Sequence, residues 1–204
     1  MARLTREQSQ ALTREKLLKS AGDVVARYSY DGASVERIAE EAGFSKGAFY
    51  SNFSSKEDVL QQLLAGNAGG DVKELAQLLE RVDDPDEVID AVARWSDARA
   101  AERKWGIIAI EMLRRAQRDG KLTDHQRQLF AHQWEEVGLL LRSKLFIEGD
   151  PGISAIDLGG IVLDLTYGGI AVYLDVNSSG QMLRQVLSAF RNSARVGQTG
   201  TAKQ

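Results

Sequence analysis

Gly43 stands between two runs that are each too short to be stable helices alone, and that constrains everything around it. Upstream, Ser34 reads as the N-cap of a helix through Val35, Ile38, Ala39 and Ala42. Downstream, Ser45 caps a second, from Lys46 to about Asn52. The glycine supplies the left-handed backbone that so tight a turn requires. Helices joined this closely cross steeply; Ala39 is small enough to allow it, and Ile38, Phe44 and Phe49 fill the wedge. This is helix-turn-helix logic, in which the second helix projects and fits a DNA major groove. With Phe49 and Phe53 turned inward, Lys46, Gly47, Tyr50 and Ser51 face out. Ser34, Ser45, Ser54 and Ser55 sit at helix N-termini, where hydroxyls and free N–H groups favour phosphate. A small helical subdomain without nucleic acid is the alternative, but three short helices gain little as scaffold.

The flanks are helical as well. Leu17, Ala21, Val24, Val25 and Tyr28 share one face of a helix over 13–28, with Thr13 as N-cap, and Tyr30-Asp31-Gly32 reads as a turn. Ser54 and Glu57 have capping-box spacing for a fourth helix. Further helices are expected from Asp84-Pro85 onward and over 102–118, 123–147, 154–175 and 181–194. Strand signals are absent, so the expected class is all-α, with about nine helices: a three-helix helix-turn-helix DNA-binding domain over 1–56, a second helical domain over 57–196, and a disordered tail over 197–204.

Composition limits the chemistry. The absence of cysteine excludes a disulfide framework, a thiolate metal site and a cysteine nucleophile together. The N-terminus has no apolar signal region. The longest apolar run, 158–174, is interrupted by Asp164 and Thr166 and falls short of the roughly 20 residues that span a bilayer. A cytoplasmic protein is expected. The net charge of −3 argues against DNA binding by a bulk positive field. Residues 1–22 nonetheless carry five Lys/Arg against two acids, so binding would rest on placed cations and backbone N–H groups.

The stretch from Thr13 to Leu64, with GFSKGAFYSNFSSKEDVL inside it, resembles the N-terminal domain of TetR-family regulators. The resemblance implies base-facing positions at Lys46, Gly47 and Ala48, a phosphate-reaching hydroxyl at Tyr50, and DNA-facing positions at Ser51 and Asn52. It also implies a phosphate-binding lysine at Lys56, a capping hydroxyl near the backbone at Ser34, and an exposed contact at Glu36 or Arg37. Ser45 belongs to the same set, and Arg3 and Arg6 lie in an arm that enters the minor groove in some members. Two residues depart from the pattern. Ser29 stands where the family usually has glycine. Glu36 stands where many relatives have arginine; an acid there repels phosphate or selects the cytosine N4 amino group, which favours Arg37 as the contact.

For the remainder, the resemblance implies an inducer enclosed by helices four to seven and a homodimer paired through the last two helices. The ligand-binding candidates are Trp95, Trp105, Ile108, Glu111, Met112, Phe130, Trp134 and Tyr167, although such stripes are also what plain core looks like. Glu111 and Asp164 are acids in apolar surroundings, able to neutralise a cationic ligand or to pair with Arg114 or Arg115. Gly159, Leu163, Ile170, Val186 and Phe190 are the candidate dimer seam. His125 and His132, with no second clustered pair, make a poor metal site, and no cofactor is expected. No nucleophile–base pair, phosphate loop or HExxH motif argues for an enzyme. The expected function is a repressor that binds a palindromic operator as a dimer and is released by a small-molecule inducer. The alternative is a DNA-binding regulator controlled by a protein partner.

Overall fold

A computed structural model of the chain describes residues 5–118, 120, 122–147, 149–168, 174 and 176–201. These form α1 (Arg6–Gly32), α2 (Val35–Glu41), α3 (Lys46–Tyr50), α4 (Lys56–Leu79), α5 (Pro85–Ala101), α6 (Arg103–Arg118), α7 (Asp124–Leu145), α8 (Ala155–Tyr167) and α9 (Ser179–Thr201), with no strand among the described residues. The chain divides into two compact units. One takes the chain up to Asn67 together with Ile107–Leu122; the other takes Ala68–Gly106 and the chain from Thr123 on. The division falls inside α4 and not at 56, and it draws most of α6 into the N-terminal unit.

Several helix ends differ from expectation. Helix α1 starts at Thr5, whose side chain and that of Gln8 form a reciprocal capping box, while Thr13 bonds back to Ser9 O inside the helix at 2.8 Å. Three bases and polar residues ahead of Leu17 hid this start, because they carry no apolar period. The helix continues past Ser29 to Gly32, but Ser29 itself is not helical (φ 65°, ψ 170°), so the expected turn becomes a kink. At α4 the cap lies one residue later than read: Ser55 Oγ accepts from Asp58 N at 3.1 Å, and the Ser54 N–H and hydroxyl donate to Asp58. Helix α9 extends through Thr201, beyond the expected end at 194 and into the segment read as a tail.

The N-terminal unit buries Leu17, Val24, Ile38, Ala39, Phe49, Phe53 and Val59. Ala39 is 1 % exposed, as the steep α2–α3 crossing needs, and Gly43 makes the turn at φ 78°. Ser20 Oγ donates to Ile38 O at 2.8 Å, fixing α1 to α2 in the core.

In the C-terminal unit α8 packs along α7 and against α5 and α9, and α9 packs along α5. The α7–α8 contact is backbone on backbone. A β-carbon at Gly138 would overlap the Ala155 carbonyl, and one at Gly159 the Trp134 carbonyl. Gly159 and Leu163, expected at a dimer seam, are therefore core positions of this unit; Leu163 is 3 % exposed. Val186 and Phe190 are half-buried on α9, and Ile170 lies outside the described residues.

Candidate nucleic-acid interface and buried polar layer

Helix α3 has two faces of different chemistry. Inward, Phe49 is fully buried and its ring lies 5.6 Å from that of Phe53. Outward, Lys46, Gly47, Tyr50 and Ser51 are exposed. Tyr50 meets Phe49 edge to face at 5.5 Å, which orients the phenol without burying it. Ser45 Oγ accepts from Ala48 N and Ser34 Oγ from Arg37 N, both at 3.1 Å, so the two serines cap α3 and α2. Ser51 Oγ donates to Gly47 O at 2.9 Å and Asn52 Nδ2 to Ala48 O at 2.8 Å, which turns both donors onto their own helix.

The cations around this face are largely engaged. Lys46 is ion-paired with Glu36, the acid that departs from the family pattern. Arg37 stacks on the Tyr28 ring at 4.3 Å and donates to Gly32 O at 3.0 Å, so the residue preferred as a contact braces α1 against α2. Arg14, which the sequence did not single out, lies over Phe53 at 4.4 Å and donates to the Asn52 carbonyl and to Gln62.

Lys56 was expected at a phosphate. Its ammonium donates to Tyr30 O and Ala33 O, both at 2.7 Å, and lies 4.1 Å from the centre of the Tyr30 ring. Partial burial pushes its pKa below the usual lysine value. It thus donates to carbonyls where α1 ends, of which Tyr30 O accepts also from Ala33 N at 3.3 Å. Arg115 covers Tyr30 at 3.9 Å and pairs with Glu57, whose carboxylate accepts from the Tyr30 hydroxyl at 3.2 Å. Glu111 accepts from Tyr30 N at 3.0 Å, while Arg114 and Arg118 reach Asp31. Glu111 is thus a bracket for the kinked end of α1. With Ile108 and Met112 it belongs to the N-terminal unit, apart from the other ligand candidates.

Those others lie in the C-terminal unit. Trp95 is 5 % exposed and its indole Nε1 has no hydrogen-bond partner among the described residues. Trp134 and Tyr167 pack on the same core, while Trp105 and Phe130 are half-buried. What the sequence did not reveal is a polar layer beside them. Asp71 is fully buried on α4; it faces Arg99 of α5 at 3.2 Å and accepts from Tyr167 Oη of α8 at 2.7 Å and from Gln133 Nε2 of α7 at 3.1 Å. Desolvation raises its pKa to about 6 against the pull of Tyr167 and Arg99. Ser96 and Thr166 share a buried hydrogen bond of 2.8 Å between α5 and α8. A signal existed: Asp71, Leu75 and Leu79, like Val92, Trp95 and Arg99, follow the helical period, so each charge ends an apolar stripe.

His125 and His132 are exposed, and no group of metal-ligating side chains occurs among the described residues. Nor is any described helix long and apolar enough to cross a membrane.

Comparison with known proteins agrees with this geometry. Residues 17–63 match the family described as bacterial regulatory proteins, tetR family. The chain is 44% identical over 52 residues to the uncharacterized HTH-type transcriptional regulator YwcC of Bacillus subtilis, a match covering 26% of this chain and 23% of that one. It therefore spans less than a quarter of that relative. It is 27% identical over 191 residues to the HTH-type transcriptional repressor AcnR of Corynebacterium efficiens, covering 90% of this chain and 93% of AcnR. The fold matches that of FadR from Bacillus subtilis, solved with stearoyl-CoA, at a TM-score of 0.66 and 17% identity, over 88% of this chain and 98% of that one. Residues 17–63 thus carry the N-terminal pattern of the tetR family of bacterial regulatory proteins, and the all-helical fold is like that of solved structures named as transcriptional regulators.

Proposed function

We propose that this protein is a repressor that binds a near-palindromic DNA operator as a homodimer, with α3 in the major groove, and that a small molecule held in its helical C-terminal unit releases it. The observation that carries the DNA half is the two-faced α3: Phe49 locked in the core, and Lys46, Gly47 and Tyr50 exposed on a rigid, doubly capped turn. Gly47 has an ordinary backbone conformation, and a β-carbon on it would meet only Ser45 Oγ, at 3.6 Å. No close contact among the described residues requires that glycine, and it leaves the outer face open for close approach. The repressor name of AcnR supports the sign of regulation. The ligand half draws on the orphan Trp95 indole and the Asp71 layer, and on a similarly folded regulator having been solved with stearoyl-CoA. Half-exposed Val186 and Phe190 on α9 support a self-association surface.

The test is selection of sites from random DNA, followed by fluorescence anisotropy at two salt concentrations, with a Lys46→Ala, Tyr50→Phe variant in parallel. A selected near-palindrome, bound less tightly at higher salt and at least tenfold less tightly by the variant, is the expected result. No selected sequence, or equal binding by the variant, overturns the reading.

A further inference from the structure

The ion pair between Glu36 and Lys46 has no structural reason to exist. It joins the first turn of α2 to the first residue of α3, and its side chains are 59% and 55% exposed. Such surface pairs contribute about 0–1 kcal/mol in water. The cores of α2 and α3 are already fixed by Ile38, Ala39 and Phe49. Both groups project from the helix-turn-helix beside Gly47, whose missing side chain leaves the backbone open. Each group holds the other ionised: Lys46 keeps the Glu36 carboxyl below its usual pKa, and Glu36 keeps the Lys46 ammonium above its own.

The donor and acceptor count is specific. Lys46 offers three N–H donors, of which Glu36 takes one. Glu36 offers two oxygens with about four lone-pair sites, of which Lys46 engages one. The couple therefore presents free donors next to free acceptors. In the major groove a G·C pair shows the guanine N7 and O6 acceptors together, then the cytosine N4 amino donor. An A·T pair keeps the N7 acceptor but sets the adenine N6 donor where guanine has O6 and the thymine O4 acceptor where cytosine has its N4 donor, then ends in a methyl group; it opposes the ammonium at the second position and the carboxylate at the third.

We infer that Glu36 and Lys46 act as one reading unit for a G·C base pair in each half-site, Lys46 donating to guanine and Glu36 accepting from cytosine N4. This rests on the reading of α3 as the major-groove helix. It makes Glu36 a specificity determinant, not merely a residue that repels phosphate. Pairing in the free protein presets both side chains, so little rotamer freedom is lost on binding.

The experiment is site selection from random DNA with the full-length wild type and with Glu36→Gln, followed by affinities for the selected site and for versions changed one base pair at a time. Circular dichroism melts check that the exposed substitution leaves the fold unchanged. The wild type is expected to require one G·C pair per half-site, losing about 5- to 150-fold on its replacement by A·T. Glu36→Gln is expected to accept A·T or any pair there while keeping its other preferences, since glutamine is suited to adenine. Identical selected sites for both proteins would overturn the inference. So would a uniform tightening of Glu36→Gln on all sequences with a steeper salt dependence, which would show Glu36 acting only against phosphate. Failure of the wild type to select any site would overturn the major-groove reading itself, and is distinguishable from either.

Discussion

At the scale of single residues, Ser29 is the point of strain. Its φ of 65° with ψ of 170° lies where a β-carbon is costly and glycine is at ease, and it is the one described non-glycine residue with positive φ. Ser29→Gly is expected to stabilise the N-terminal unit by about 1 kcal/mol, raising its thermal midpoint by a few degrees. An unchanged or lower midpoint would mean that the Ser29 Oγ contact with Gly32 N and the extra freedom of the unfolded glycine outweigh the strain. Asp71 gives a pH prediction. Its folded pKa, about 6, lies above the ordinary carboxylate value, so the folded state binds the extra proton. Its contribution to stability is greatest below that ordinary value and is lost as pH rises toward and through 6. Denaturant titrations at pH 5 and pH 7.5 should show the wild type losing stability relative to Asp71→Asn as pH rises; a difference independent of pH would contradict the raised pKa. The sequence marked Ser29 as irregular only through a family pattern. It gave no hint of Lys56 turning to the Tyr30 and Ala33 carbonyls, because those acceptors lie 26 and 23 residues away along the chain.

At the scale of elements, starts were more legible than ends. The caps Ser34 and Ser45 were readable because each is a short polar side chain just ahead of an apolar period, and the starts of α5 and α7 were expected at Asp84-Pro85 and at 123, without their caps being named. Thr5 and the long continuation of α9 were not, since the turns they bound carry polar residues on every side. The glycines of α8 were legible as sites of close helix approach, but not as to which helix approaches. Gly159 faces Trp134 of α7 within the chain. Gly159→Ala is therefore expected to destabilise the C-terminal unit by at least the 1–3 kcal/mol of a typical overpacked site, since the clash is with backbone. A melt of the variant within a degree of wild type would contradict that packing. Lys56→Met keeps the aliphatic stem near Tyr30 but takes the ammonium from the Ala33 carbonyl and leaves the Tyr30 carbonyl only its longer bond from Ala33 N, and is expected to cost the N-terminal unit about 1–3 kcal/mol in chemical denaturation. No loss would mean that water replaces the ammonium.

At the scale of the molecule, the helical class followed from periodicity, while the allotment of α6 did not. Its residues from Ile107 onward join the N-terminal unit through Glu111, Arg114, Arg115 and Arg118, a connection that no linear boundary can express. The exposed face of α3 was legible because Lys46, Gly47 and Tyr50 lie in one short stretch of local pattern that also holds the turn and the buried Phe49. The polar layer of Asp71, Arg99, Gln133 and Tyr167 was not, being gathered from four separate helices. The central claim is that two copies of α3 occupy successive major grooves, and hydroxyl-radical footprinting on a selected operator tests it most directly. Two protected patches related by a dyad, about one helical turn or 34–36 Å apart, and both absent with the Lys46→Ala, Tyr50→Phe variant, are the predicted result. A single asymmetric patch, or the same footprint from the variant, would contradict it.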